Sequence, residues 1–441
     1  MFIALFLVVV LLLVGGIHWY LWRRLVKDVV TTRRGRRVGA LVVVLLGVLI
    51  PVTMVGSRVL PLEQQPVLAW PGFLWLALMF YLLVTLALLE LPRLALRAWT
   101  RRREPQPVDN PVDSSMMPVD SAGRPVQGTV DGQVTAVDSP AAAAPGGAVG
   151  SGVVDSPPVD GAPVDGRFDP ARRLLLGRSL AATAGALSVA AVGIGTWQAK
   201  SAPVLKRVPI RLAKLPASMS GFKIALVSDI HLGPLLGKSH TERIVRIINS
   251  VGADVVAVVG DLVDGSVAEL GPAAEPLQDL RARHGSFFVT GNHEYFSDYH
   301  EWIDEVNSLG VRVLRNERLD IQGLDLAGVN DVAGEDVGDG PDFAKALSGR
   351  DASRPVVLLA HQPVQAHEAA KHGVDLQLSG HTHGGQMVPF NLLVALDAPV
   401  VSGLGTVDGT QVYVTRGAGF WGPPVRFGAP PDISVIELHR T

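Results

Sequence analysis

Hydrophobic and polar positions divide this chain sharply. Residues 1–22, 38–56 and 67–89 are apolar stretches with almost no charge, and each approaches or exceeds the roughly 20 residues that cross a bilayer. Trp19, Tyr20 and Trp22 stand where an interfacial aromatic belt would lie. A cleaved leader is the alternative for the first stretch. That stretch opens without positive charge and lacks a small-residue cleavage site, so a retained span is expected. Residues 179–198 form a fourth uncharged segment, rich in Ala, Gly and Thr. From about Leu205 the pattern shortens to apolar runs at 223–229, 255–261, 286–290, 356–361 and 376–380, each ending in polar residues. Such runs predict buried strands. Helical stretches near 238–250, 298–309 and 364–372 lie between them, which predicts an α/β domain with ligands at strand ends.

The connections add an orientation. Arg23, Arg24, Lys27, Arg33, Arg34, Arg36 and Arg37 fill the first loop, whereas the loop 57–66 holds one Arg. Positive charge favours the cytoplasm, so the amino terminus is expected outside and the third span returns the chain inside. Residues 104–171 are rich in Pro, Val and Asp, with Pro-Val-Asp beginning at 107, 111, 118, 158 and 163. This composition predicts a disordered linker. Arg172-Arg173 then precedes the fourth segment, which reads as a span or as a twin-arginine signal-anchor addressed to export machinery. The expected domains are therefore 1–103, a membrane region with three transmembrane helices; 104–171, the linker; 172–200, the fourth helix; and 205–441, an extracytoplasmic catalytic domain of a multi-pass cell-membrane protein.

Composition narrows the chemistry. Hydrophobic residues make up 48% and the formal net charge is −2, which argues against a nucleic-acid scaffold. With no cysteine, thiolate metal sites and disulfides are excluded. Any metal must be held by His, Asp, Glu or Asn. Asp229 and His231 are two apart at a strand end and can point into one pocket. Asp261 follows a run of valines and suits a bridging carboxylate, able to give one oxygen to each of two cations. Asn292 offers a carbonyl oxygen. His293 beside it is placed to donate a proton. His361, His381 and His383 complete the set, the last two repeating the spacing of Asp229 and His231. Asp at a strand end is often a helix cap and a single His is often packing; it is the joint pattern that points to two metals facing a phosphate.

These blocks, Asp229-x-His231, Gly260-Asp261, Gly291-Asn292-His293-Glu294, His361 and Gly380-His381-Thr382-His383, resemble the calcineurin-like metallophosphoesterase superfamily. The form His383-Gly384-Gly385-Gln386 and the stretch 413–424 are similar to its bacterial membrane-associated or twin-arginine-exported branch. The resemblance covers about 220–438. It implies a four-layer sandwich of two mixed β-sheets flanked by helices. It also implies one metal on Asp229, His231, Asp261 and His383, a second on Asp261, Asn292, His361 and His381, and His293 as general acid, with Asp261 and His293 the catalytic residues.

The expected reaction is hydrolysis of a phosphodiester or phosphomonoester by a metal-bridging hydroxide. Mn, Fe or Zn suits the mixed donors. Expected partners are membrane lipids and a phosphate ester of lipid-linked or cell-envelope origin. Arg416, Phe420, Trp421 and Arg426 are placed either at the mouth or in ordinary packing. A domain that binds metal without turnover is the rival; the complete ligand set and His293 speak against it.

Overall fold

A computed structural model describes residues 2–101 and 170–441. The expected linker and its Pro-Val-Asp repeats lie outside the described residues, apart from its last two positions. Among the described residues, four helices are long and apolar enough to cross a membrane: α1 (Phe2–Leu21), whose candidate span Val8–Lys27 runs on past its end, α2 (Arg33–Val59), α3 (Gln65–Arg101) and α4 (Pro170–Lys200). Each of α2, α3 and α4 runs beyond its apolar stretch into basic residues. Arginine propagates a helix well, so the extent of the apolar stretch does not set the length of the helix.

The two ends of the bundle differ chemically. At one end Arg24 meets Glu90 at 2.5 Å, Tyr20 bonds Glu90 at 2.9 Å, and Arg178 Nε donates to Val29 O at 3.2 Å. At the other, the Lys200 ammonium lies 5.2 Å from the centre of the Trp70 ring. Thr85 and Ser188 join α3 to α4 between these levels, 3.1 Å apart.

Among the described residues after 200, two six-stranded sheets face each other. The first has the order β1 (Val204–Leu212), β12 (Asp432–Arg440), β2 (Phe222–Val227), β3 (Val255–Val259), β4 (Ser286–Val289) and β5 (Val311–Val313). The second runs β10 (Gly403–Val407), β11 (Thr410–Val414), β9 (Leu376–Ser379), β8 (Val356–Leu359), β7 (Leu324–Gly328) and β6 (Glu317–Ile321). Both are mixed: β12 is antiparallel to β2, β10 to β11 and β6 to β7, while the other pairings are parallel.

The unbroken apolar runs are explained by burial on both faces. In β2, Ile224 and Leu226 enter the core between the sheets with Leu359, Leu378 and Tyr413, whereas Ala225 and Val227 face the helices. Those helices are α5 (Lys238–Asn249), α6 (Val267–Ala274) and α8 (Tyr299–Ser308); α5 brings Ile244 and Ile248 into this layer, and α8 brings Trp302, while the short α7 (Asn292–Phe296) lies between β4 and α8. A third cluster, with Val356, Leu358, Phe343 and Ala369, covers the outer face of the second sheet. The result is the four-layer arrangement of helix, sheet, sheet and helix. All five expected strands form, ending one or two residues before the predicted limits.

Candidate metal centre

The strand ends of β2, β3, β4, β8 and β9 converge. Past β2, Asp229 N–H donates to Gly260 O at 3.0 Å and His231 N–H to Asp261 O at 3.1 Å, so the loops after β2 and β3 run side by side. Close approach requires Gly260, at φ +81°: a Cβ there would lie 2.6 Å from both His361 Nδ1 and Gly291 N. Five expected ligands, Asp229, His231, Asp261, His381 and His383, adopt left-handed backbone conformations with φ between 49° and 71°. That region is costly for most residues, though Asp and His tolerate it better than others.

The expected residues come together in three overlapping groups of donor atoms: Asp229, His231 and His383; His231, Asp261 and His293; and Asp261, His361 and His381, each within 4.8 Å. Asn292 Oδ1 lies 3.0 Å from His381 Nδ1. Asp261 stands between the outer groups, its Oδ2 3.2 Å from His361 Nε2 and 3.7 Å from His231 Nε2.

The ring protons show what this arrangement accepts. His361 Nδ1 donates to Val259 O at 2.8 Å, and His231 Nδ1 pairs with Asp264 Oδ1 at 3.0 Å. Both rings therefore turn an Nε2 lone pair towards the Asp261 carboxylate. Lone pairs facing a carboxylate need a cation or a proton between them, and an outward N–H to a carbonyl or carboxylate is the usual support of a ligating histidine. The residues thus fit divalent metal. Without one, protons take its place. Burial alone would lower the His231 pKa, but Asp264, Asp261 and Asp229 carry it to about 9; His361, opposed by burial, is held well above the usual range by Asp261. His381 is pushed down to about 4 by burial and by His361.

His383 is held differently. The buried guanidinium of Arg426 donates to its Nδ1 at 2.9 Å, while burial, His231 and Arg426 keep the ring neutral. Its Nε2 lies 3.0 Å from His231 Nε2 and 3.6 Å from Asp229 Oδ1, facing the same space as the other donor atoms. Arg426 therefore lines no mouth, and Phe420 is buried too. Trp421 is exposed and edge-on to His293.

Three supporting residues were assigned no such role from sequence. Asp264 Oδ1 also lies 2.6 Å from His293 Nδ1. Glu294, fully buried, accepts from the backbone N–H groups of Asp261, Leu262 and Gly291 at 3.0, 2.7 and 2.6 Å. Arg426 is the third. Only the spacing Asp261-x-x-Asp264 and the place of Glu294 beside His293 could have hinted at the first two.

Two facing sheets with clustered His and Asp at their strand ends define a metal-dependent phosphoesterase scaffold, and the comparisons with known proteins agree. The calcineurin-like phosphoesterase family matches residues 222–385. An uncharacterized metallophosphoesterase of Aquifex aeolicus is 34% identical over 239 residues, 53% of this chain and 91% of that protein. The chain belongs to the calcineurin-like metallophosphoesterase superfamily. An uncharacterized metallophosphoesterase of Helicobacter pylori is 41% identical over 247 residues, 55% of this chain and 66% of that one. A Danio rerio transmembrane protein with metallophosphoesterase domain is 40% identical over 260 residues, 56% and 60% of the two chains. The chain thus spans less than two thirds of these last two relatives.

Proposed function

We propose that this chain hydrolyses a phosphate ester, a phosphodiester or phosphomonoester, at a dinuclear metal centre on the outer face of a cell membrane. The observation that carries the reading is the pair of inward Nε2 lone pairs, of His231 and His361, aimed at one carboxylate, Asp261. Asp229, His231, Asp261 and His383 would hold one cation, and Asp261, Asn292, His361 and His381 the other. Mixed oxygen and nitrogen donors suit Mn, Fe or Zn. Bound cations supply Lewis acidity and ionise water near neutral pH.

The chain's own residues do the rest. His293, its Nδ1 anchored on Asp264, presents Nε2 on the side of Asp261. As water's oxygen bonds to phosphorus and the bond to the leaving oxygen breaks, that oxygen takes the His293 proton. Glu294 holds the loops after β3 and β4 together through three backbone N–H groups, keeping Asp261 and Asn292 in register.

The proposed organisation is a membrane region at 1–103, a linker at 104–171, a fourth span or signal-anchor at 172–200 and the catalytic domain at 205–441. Support for an extracytoplasmic domain comes from the bundle: Arg24 and Arg178 lie at the end opposite Lys200, after which the domain begins. Cell-envelope or lipid-linked phosphate esters are the proposed substrates.

Purified full-length protein with Mn and bis-p-nitrophenyl phosphate tests the chemistry. Metal-dependent turnover is expected, with Asp261→Ala and His293→Ala each lowering it by about 10²–10⁴-fold. Turnover indifferent to chelator and to both substitutions would overturn the reading. A carboxy-terminal reporter active only in the cytoplasm would reverse the orientation.

A further inference from the structure

The segment between Trp421 and Phe427 connects the metal centre to the helices read as spans. Val425 packs with Ala77, Tyr81 and Ala191; Phe427 meets Tyr81 edge-on at 5.6 Å; and Arg426 N–H donates to Gly195 O at 2.9 Å. Lys200, the last residue of α4, stands at the level of Trp70. Tyr81 lies eleven residues further along α3, from 70 to 81, about 16 Å of helix at 1.5 Å per residue. The domain therefore reaches well down the flank of the bundle, into the apolar part of α3.

Beside this wedge the domain exposes large apolar side chains. Phe390 lies edge-on to Phe80 of α3 at 6.2 Å, and after it Leu392, Leu393 and Leu396 point outward, Leu392 67% and Leu396 83% exposed. Trp421 and Phe296, 58% and 73% exposed, stand edge-on to His293 at 5.8 and 5.6 Å. The Trp421 backbone is clamped by Gln386, whose side chain accepts its N–H at 3.1 Å and donates to its carbonyl at 3.0 Å. A methyl placed on the next residue, Gly422, would lie 3.9 Å from Phe73 of α3. Exposed apolar side chains thus stand both beside the helices read as spans and beside His293. Exposed patches of this kind mark contact with another apolar phase.

We propose that the segment 390–396 inserts into the bilayer as a foot, and that the substrate is a membrane-resident amphiphile. Its phosphoester reaches the metal centre laterally past Trp421 and Phe296 while its apolar chain stays in the lipid. The assignment rests on the hydrolase reading. Hydrolysis is balanced by water alone: its oxygen joins phosphorus, and the lipid-borne alcohol or the second substituent leaves with a proton.

Two measurements on the full chain in phosphatidylcholine bilayers test it. The chain has no cysteine of its own, so Leu396→Cys carries a single nitroxide. Greater collision with dissolved oxygen than with a polar nickel chelate is expected; the reverse would overturn the foot. Hexadecyl and methyl p-nitrophenyl phosphate share one reacting centre and differ in anchoring. With Mn, the hexadecyl ester in vesicles is expected to turn over about tenfold or more better in kcat/KM. The exposed pair Leu392→Ser/Leu396→Ser should abolish that preference and leave the methyl ester within about twofold. Equal use of both esters by the unaltered chain, or an equal fall in both in the variant, would overturn the substrate assignment. Turnover of neither ester removes the hydrolase reading and the substrate with it, whereas the nitroxide reports on the foot alone.

Discussion

Asp264 and His293 are joined by a 2.6 Å contact between Oδ1 and Nδ1, and the same oxygen lies 3.0 Å from Nδ1 of His231. One carboxylate therefore orients an expected ligand and the expected proton donor together. Asp264→Asn keeps the shape but cannot accept from both rings as a charged group. Both metal affinity and kcat are expected to fall by about 10–100-fold, a typical loss for an outer support of a metal site. Titration calorimetry and steady-state rates check it, and a loss of kcat with unchanged affinity would show that Asp264 serves His293 alone.

Glu294 is pushed up to about 7 by burial and then by Asp261, yet it satisfies three backbone N–H groups. Glu294→Ala leaves those donors buried and unpaired. A loss of about 3 kcal/mol or more in unfolding free energy is expected, while Glu294→Gln, which still accepts, should lose much less. Denaturant titration distinguishes them.

Metal binding should release protons. In the metal-free chain His231 titrates near 9 and His361 well above its usual range, so both hold a proton at neutral pH that a cation displaces. The free form binds more protons, so affinity rises with pH up to about 9 and falls in acid. Calorimetry at pH 7.5 in buffers of different ionisation enthalpy should report release of roughly one proton per site filled, about two for the pair. Zero release would count against these two rings as ligands.

His240 offers a second, independent pH response. Burial, then Arg243 and Lys200, push it down to about 4. The unfolded chain, with an ordinary histidine near 6.5, takes up the proton first. Stability from this residue is complete above about 6.5 and is lost as pH falls towards 4, by about 3 kcal/mol. His240→Asn should flatten that part of the curve of stability against pH; an unchanged slope would show that other groups dominate acid unfolding.

The clustered donor residues were legible in the sequence because polar residues end otherwise apolar runs, and a carboxylate after five valines and alanines has few structural reasons to be there. Strands lacking that contrast escaped. In β6, Glu317, Arg318 and Asp320 occupy an edge with little burial, and β10 is glycine-rich. β12 enters the sheet between β1 and β2, a pairing across some two hundred residues that no local pattern encodes. Arg426 escaped for the same reason: its partners are His383 and four backbone carbonyls, of Arg416, Gly417, Gly419 and Ala429. Burying a guanidinium among carbonyls is a property of folded loops, invisible to composition.

The left-handed backbone at Asp229, His231, Asp261, His381 and His383 has a consequence for how such a centre can change over time. Among side chains with a Cβ, Asp, Asn and His enter that conformation most readily. These are also the residue types proposed to hold the metals. A drift to valine or isoleucine at any of the five positions would fail in the main chain before it failed in coordination. Conformational and chemical demands therefore act on the same positions, and few residue types satisfy both at once.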